Sequence, residues 1–239
     1  MRLDKLLAHM GYGTRKEVKQ LLKSGAVMWN GEVIKSANQK VNPEEDSITV
    51  YGERVEYKEF LYLMTNKPAD VISATWDKMD QTVIDLLIEE DRHFEPFPVG
   101  RLDKDTEGLL LLTNDGKLAH QLLTPKNNIA KTYMAKVKHP IDEEDVKRFA
   151  EGIQLEEFMT KPAVLERTVD DLIIRVTITE GKFHQVKRMV HAIDNEVLHL
   201  QRVSMGSLKL DESLALGEYR ELTDEELSSL LKDIEEAGV

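Results

Sequence analysis

Residues 109–112 are four consecutive leucines, entered through Arg101-Leu102-Asp103-Lys104-Asp105-Thr106-Glu107-Gly108 and left through Thr113-Asn114-Asp115-Gly116. A short apolar run bounded by a glycine and an Asn-Asp-Gly turn reads as a buried strand, although periodicity alone does not separate it from a buried helix. The run makes this segment a core element and leaves Asp103 in the loop just before it. Loops anchored on rigid core elements are where reacting groups tend to sit, because the scaffold fixes their position while the loop keeps them open to substrate. An aspartate at such a place also serves as a turn former or a cap.

The stretch from Gly100 to Gly116 resembles, almost letter for letter, the Arg-Leu-Asp-x-x-Thr-x-Gly-Leu-Leu-Leu-Leu-Thr-Asn-Asp-Gly signature of the RsuA-type pseudouridine synthases, which isomerise uridine in ribosomal RNA. The resemblance implies that Asp103 is the catalytic nucleophile and makes Arg101 a candidate RNA contact beside it. Lys131 to Val137 alternates as a strand, and its Lys-Thr-Tyr register is similar to the family's second motif. That match implies that Tyr133 stacks on the target base and is a candidate acceptor for its C5 proton. A β-branched run from Leu172 to Thr179 is followed by Glu180-Gly181-Lys182-Phe183-His184-Gln185-Val186-Lys187-Arg188-Met189 and a helix read over residues 186–193. In the family a basic residue here pairs with the catalytic aspartate. Lys187 takes that part, and Arg188 that of a phosphate contact, with exchange of the two left open. Many members carry arginine where this chain has Lys187, and a lysine supplies the charge without the bidentate fork. The His-Gln-Val-Lys-Arg run is most similar to the small-subunit branch.

Upstream, Phe60 to Met64 reads as a strand broken at Asn66-Lys67-Pro68. The family continues with Asn-Lys-Pro-x-Gly, and Asp70 stands at its glycine position. A glycine there implies a tight or positive-φ turn, which aspartate tolerates better than most residues. Residues 82–87 read as a short helix, 94–99 as a proline-stiffened extended lead into Gly100, 118–123 as a helix and 223–236 as an acidic helix.

The amino-terminal residues form a separate pattern. Leu3, Leu6, Leu7 and Met10 recur at helical spacing, and Gly11 and Gly13 close that helix. Thr14 and Glu17 make a capping-box pair for a second helix with Val18, Leu21 and Leu22 on its apolar stripe, stopped by Gly25. Asn30-Gly31 joins two short β-rich runs as a hairpin signal. Arg-Leu-Asp-Lys-Leu-Leu at the start, Thr-Arg-Lys at the second helix and Gly-x-Val-x-x-Asn-Gly after it together resemble the S4 RNA-binding domain. The resemblance implies RNA binding through these helices, with Arg2, Arg15, Lys16 and Lys19 on phosphates. Such contacts position RNA without reading its sequence. The same lysines also fit a solvated helix face.

Charge bears on that reading. The net charge of −12 opposes a polyanionic partner, but residues 1–40 carry eight Lys and Arg against three acids, while residues 211–239 hold ten acids against Arg220 and Lys232. Screening is nearly complete beyond roughly 10 Å, so a basic end on an acidic protein can still bind RNA. With no cysteine in the 239 residues, disulfides, thiolate metal sites and a cysteine nucleophile are excluded. His184, His191 and His199 are spaced too loosely for a helical metal pair. No signal-like start and no long apolar stretch is present, and a cytoplasmic location is expected.

The expected fold is α+β, with an S4-like domain over residues 1–59 and, over 60–239, a catalytic domain on a mixed, largely antiparallel sheet flanked by helices. The expected function is isomerisation of a ribosomal RNA uridine, uridine 516 of 16S rRNA by the small-subunit resemblance. Neither cofactor nor metal is expected. The partner is ribosomal RNA, naked or in an assembly intermediate, and the chain a monomer. Alternatives are the same reaction on a 23S rRNA stem-loop, a non-catalytic RNA-binding assembly factor, and a glycosidase using Asp105 or Glu107 as second carboxylate.

Overall fold

The structure, a computed structural model, describes residues 1–237. The chain forms two compact units, Met1–Leu61 with Ile88–Glu95, and Tyr62–Leu87 with the chain from Pro96 onward.

In the first unit, α1 (Leu3–His9) buries Leu3, Leu6 and Leu7 against Val18 and Leu22 of α2 (Arg15–Lys23). The capping box forms: the Glu17 amide donates to Thr14 Oγ1 at 3.3 Å and the Thr14 amide to Glu17 Oε2 at 2.7 Å. Removing such a cap costs about 1 kcal/mol. β1 (Val27–Trp29) and β2 (Glu32–Val33) are joined through Asn30 at φ +50° and Gly31 at φ +87°. Two positive φ values in a row are what a two-residue hairpin of this twist requires, which is why Asn-Gly signals it. β3 (Ile48–Val50) and β4 (Glu53–Arg54) complete an antiparallel sheet of order β2-β1-β3-β4. α3 (Glu89–Arg92) and the residues after it also belong here. His93 Nε2 lies 3.0 Å from the Ala8 carbonyl, and Phe94 meets His9 edge-on at 5.5 Å. The sequence division between residues 59 and 60 does not contain this excursion, and the extended lead into Gly100 begins at Pro96 rather than Phe94. Its contacts are long-range aromatic ones, which no local periodicity announces.

The second unit runs, in chain order, through β5 (Tyr62–Lys67), β6 (Phe97–Pro98), β7 (Glu107–Thr113), α4 (Gly116–Leu123), β8 (Lys131–Val137) and α5 (Glu143–Glu151). It continues through β9 (Val164–Arg167), β10 (Ile173–Ile178), α6 (Gln185–His191), β11 (Val197–Met205), β12 (Leu208–Lys209), β13 (Tyr219–Glu221) and α7 (Asp224–Ala237). The strands make one sheet whose main path is β13-β5-β7-β11-β8-β10-β9, with β6 on β7 and β12 on β11. Among the described strands only β7 and β11 pair in parallel, so the sheet is mixed and largely antiparallel.

β7 is the leucine strand. Leu109 and Leu111 pack against Leu118 and Leu122 of α4 and Leu230 and Ile234 of α7, while Leu110 and Leu112 are equally buried. A strand covered on both faces reads as a continuous apolar run rather than an alternation. Full burial of each leucine is worth about 1.5–3 kcal/mol. The helix read over 82–87 is a single 3₁₀ turn, Val83–Leu86, capped by Thr82 and Asp85. Sequence reading assigned neither α5 nor β11, although β11 lies at the centre of the sheet. Both faces of β11 border open space, so polar residues fall on either side and the usual alternation is lost.

Candidate active site

The loop between β6 and β7 is held from beneath by the end of β5. Lys67 is fully buried, and its Nζ donates to the carbonyls of Pro68 at 2.8 Å, Val71 at 2.6 Å and Lys104 at 3.2 Å. Three acceptors match the three N–H bonds of an ammonium, where a neutral amine offers two. Burial lowers Lys67 to about 8, opposed by the carboxylates of Asp105, Glu107, Asp103 and Asp70. Asp70 sits at φ +66° with its amide donating to the Lys104 carbonyl at 2.9 Å. The aspartate thus takes up a positive-φ turn of the kind a glycine there implies. Ser73 Oγ accepts the Leu102 amide and donates to its carbonyl, both at 3.0 Å, and the Thr106 amide closes a turn on the Asp103 carbonyl at 3.0 Å. Every backbone bond here restricts where Asp103 can be.

From the far side of the sheet's sequence, α6 delivers the cation. Lys187 Nζ is 3.0 Å from Asp103 Oδ2 and 2.6 Å from Asp105 Oδ1. Burial alone would lower Lys187, but hydrogen bonds and charge from Asp105 and Asp103 outweigh it, so its pKa is raised and the side chain stays cationic. Asp105 is lowered, chiefly by its hydrogen bond to Lys187. His184 begins α6 at φ +49°, with Nε2 3.6 Å from Asp103 Oδ1 and its ring stacked on Phe183 at 3.7 Å.

These groups open onto a cleft of about 130 Å³ lined by Arg101, Asp103, Tyr133, His184, Leu200 and Arg202 among others. Tyr133 is buried in β8, opposite Arg202 of β11 and Val176 of β10. Asp103, Lys187, Tyr133 and Arg101, read from three distant motifs, are therefore brought together. Arg188 is not among the lining residues: it is bonded to Glu157 and lies over the Phe158 ring at 5.7 Å. The guanidinium read as a phosphate contact is engaged here by a carboxylate and a ring from about thirty residues upstream. In the first unit Arg2 and Arg15 converge on the buried Asp4, at 2.9 and 3.0 Å. Their hydrogen bonds, Arg2's first, hold Asp4 down to about 2 against the effect of burial. Lys16 and Lys19 stand exposed on α2. The resemblance gave Lys67 a part in shaping the sheet around the site, but its hold on the loop through three carbonyls, and Lys131, Arg202 and Thr106 as lining groups, were not read from the sequence. Arg202 stands among His199, Gln201 and Ser204 in the Val197–Met205 run, so nothing local singled it out.

The sequence model described as RNA pseudouridylate synthase matches residues 61–192, and that of the S4 domain matches residues 1–47. The chain belongs to the RNA pseudouridylate synthase family and carries an amino-terminal S4 domain. It is 56% identical over 234 residues to an uncharacterized RNA pseudouridine synthase of Bacillus subtilis, YtzG, covering 96% of this chain and 98% of that one. It is 42% identical over 237 residues to the ribosomal small subunit pseudouridine synthase A of Vibrio cholerae, covering 97% and 100%. A crystal structure of a pseudouridylate synthase superposes with a TM-score of 0.68 at 38% identity, over 96% of this chain and 99% of the other. The chain is thus a pseudouridine synthase acting on RNA.

Proposed function

We propose that this enzyme converts one uridine of small-subunit ribosomal RNA, uridine 516 of 16S rRNA, to pseudouridine with Asp103 as nucleophile. The observation that carries the reading is the Lys187–Asp103 pair at 3.0 Å, its Asp103 lining the same cleft as Tyr133. In the reaction the N1–C1′ bond breaks, the uracil turns, C5 bonds to C1′, and the proton on C5 is exchanged for one on N1. No atom is gained or lost. With the Lys187 cation beside it, the Asp103 carboxylate attacks C1′, or removes the C2′ proton on a glycal path. Tyr133 supports the detached ring, and its phenol oxygen receives the C5 proton. The uridine enters flipped from its stack, at a cost of a few kcal/mol recovered in the cleft. The enzyme works as a monomer in the cytoplasm, and its substrate is ribosomal RNA, naked or in an assembly intermediate.

The choice of small-subunit RNA is supported by the His-Gln-Val-Lys-Arg segment and by the likeness to the small-subunit synthase of Vibrio cholerae. Mapping pseudouridines in ribosomal RNA from cells with and without the gene checks it: the 16S modification is expected to vanish in the deletion strain. Loss of a 23S modification instead would move the target to the large subunit.

RNA is recruited through α2 of the S4 domain, where Lys16 and Lys19 are exposed and free to meet phosphates. Lys16→Glu with Lys19→Glu is expected to weaken RNA binding by roughly ten-fold or more at moderate salt and to reduce the salt slope by about two. An unchanged affinity and slope would remove α2 from the RNA surface.

A further inference from the structure

The cleft holds more cationic and donor capacity than Asp103 uses. Arg202 is 2% exposed, and its Nε donates to the Leu109 carbonyl at 2.8 Å. Its Nη2 and Thr106 Oγ1 are both buried without a hydrogen-bond partner among the described residues, and both side chains line the cleft. Lys131 lines it too, with Nζ on the Ile129 carbonyl at 3.0 Å; burial first, then the charges of Arg202 and Lys161, bring it to about 8. Leaving a buried donor unmatched costs about 1–3 kcal/mol, more when it is charged, so each such group calls for an account.

Strand alternation shows that the placement is not incidental. Lys131 and Tyr133 of β8 and Leu200 and Arg202 of β11 line the cleft, whereas Thr132, Met134, Gln201 and Val203 line a separate cavity. Successive side chains of a strand face opposite ways, so the two cations share the sheet face of Tyr133. Arg202 and Tyr133 are register partners.

We propose that Arg202, with Lys131 and Thr106, holds the uracil ring after its detachment as the N1 anion. The proposal rests on the reaction assigned above to this cleft. When the C1′–N1 bond breaks, its electron pair leaves with the base, and the negative charge spreads over N1, O2 and O4. C1′ bonds to the Asp103 carboxylate, or C2′ yields its proton to that carboxylate; the departing base is the same anion on either path. A guanidinium N–H with no acceptor among the described residues is then a donor held ready for a uracil carbonyl oxygen. Preorganised donors in a water-poor site act most strongly where charge develops, and losing one slows the chemical step by roughly 10²–10³-fold. As C5 joins C1′ and N1 is protonated the charge disappears, and the ring is released from this hold.

The test uses full-length protein in single turnover on two RNAs, one with uridine at the target and one with 5-fluorouridine. Fluorine withdraws electrons and stabilises the departing anion without help from the protein. Cleavage is read as disappearance of the starting nucleoside from nuclease digests. Arg202→Gln is expected to slow uridine cleavage by roughly 10²-fold and 5-fluorouridine cleavage by less than about ten-fold. Lys131→Met, which keeps the strand and the side-chain length, should show the same ordering with smaller losses, and serves if Arg202→Gln does not fold. Equal losses on the two RNAs, or undiminished uridine cleavage, overturn the proposal, because a packing defect does not distinguish one fluorine atom. Asp103→Asn run alongside separates the two layers: its turnover would strike down the reaction assigned to the cleft, while its inactivity together with equal losses strikes down only the hold on the anion.

Discussion

Asp103→Asn is expected to abolish pseudouridine formation, with single-turnover rate reduced by at least about 10⁴-fold, some 5 kcal/mol of transition-state free energy, while folding and RNA affinity stay close to those of the parent. The geometry explains why the two effects separate. A lysine stripped of its only buried partner would destabilise the protein, but Lys187 also reaches Asp105 at 2.6 Å and remains paired. The backbone bonds that shape the loop come from Ser73, Lys67, Asp70 and Thr106 and do not involve the Asp103 carboxylate. The amide of asparagine is nearly isosteric, carries no charge and is a poor nucleophile. Thermal unfolding, RNA titration and quantification of pseudouridine on one preparation check the three parts together. Turnover within a hundred-fold of the parent would remove Asp103 from the nucleophile's place.

The largest effect on stability is expected at Gly108. It sits at φ +102°, and a Cβ built there would lie 2.2 Å from the carbonyl oxygen and 2.8 Å from the nitrogen of Arg202. Those atoms belong to the backbone of β11, at the register point where β7 and β11 pair in parallel. Rotating a side chain cannot relieve the overlap; one strand must move. Gly108→Ala therefore combines a disfavoured backbone conformation with overpacking and should cost on the order of 3–5 kcal/mol. For a unit of this size that lowers the unfolding midpoint by roughly 10 °C. Gly116→Ala is the matched control. Gly116 is the first residue of α4 and has nothing within 4 Å of its added Cβ, so alanine there should be neutral or slightly stabilising. Equal midpoints for the two variants in calorimetry would show that the strands tolerate a wider separation than this register implies. Activity should fall in Gly108→Ala as well, since a displaced β11 carries Arg202 away from the Asp103 loop.

How much of this was legible depends on whether the cause was local. Leu109–Leu112, the Thr14–Glu17 box and Asn30-Gly31 each specify their structure within a few residues, and each forms as read. Asp103, Tyr133 and Lys187 were nominated by motifs; Asp103 and Tyr133 reach one cleft through the sheet that pairs β7, β8 and β11, and Lys187 joins them by its bond to Asp103. Arg188 shows the limit of the motif: adjacent to Lys187 and of the same charge, it pairs with Glu157, 31 residues away in sequence, and lies over Phe158 instead of joining Asp103. The excursion of residues 88–95 into the first unit was invisible for the same reason, being held by His93 and Phe94 on residues near the start of the chain.

From the sequence alone follow the core strand, the caps and turns, the basic helix α2 and the motif that carries Asp103, because each is set by spacing and residue type over a few positions. Tertiary structure alone decided that Lys187 is shared between two carboxylates, that Lys67 pins the loop from below, and that Arg202, with an unmatched donor, lines the cleft. These depend on strand order and on which face each side chain occupies, quantities fixed by the packing of segments about a hundred residues apart and absent from any local pattern.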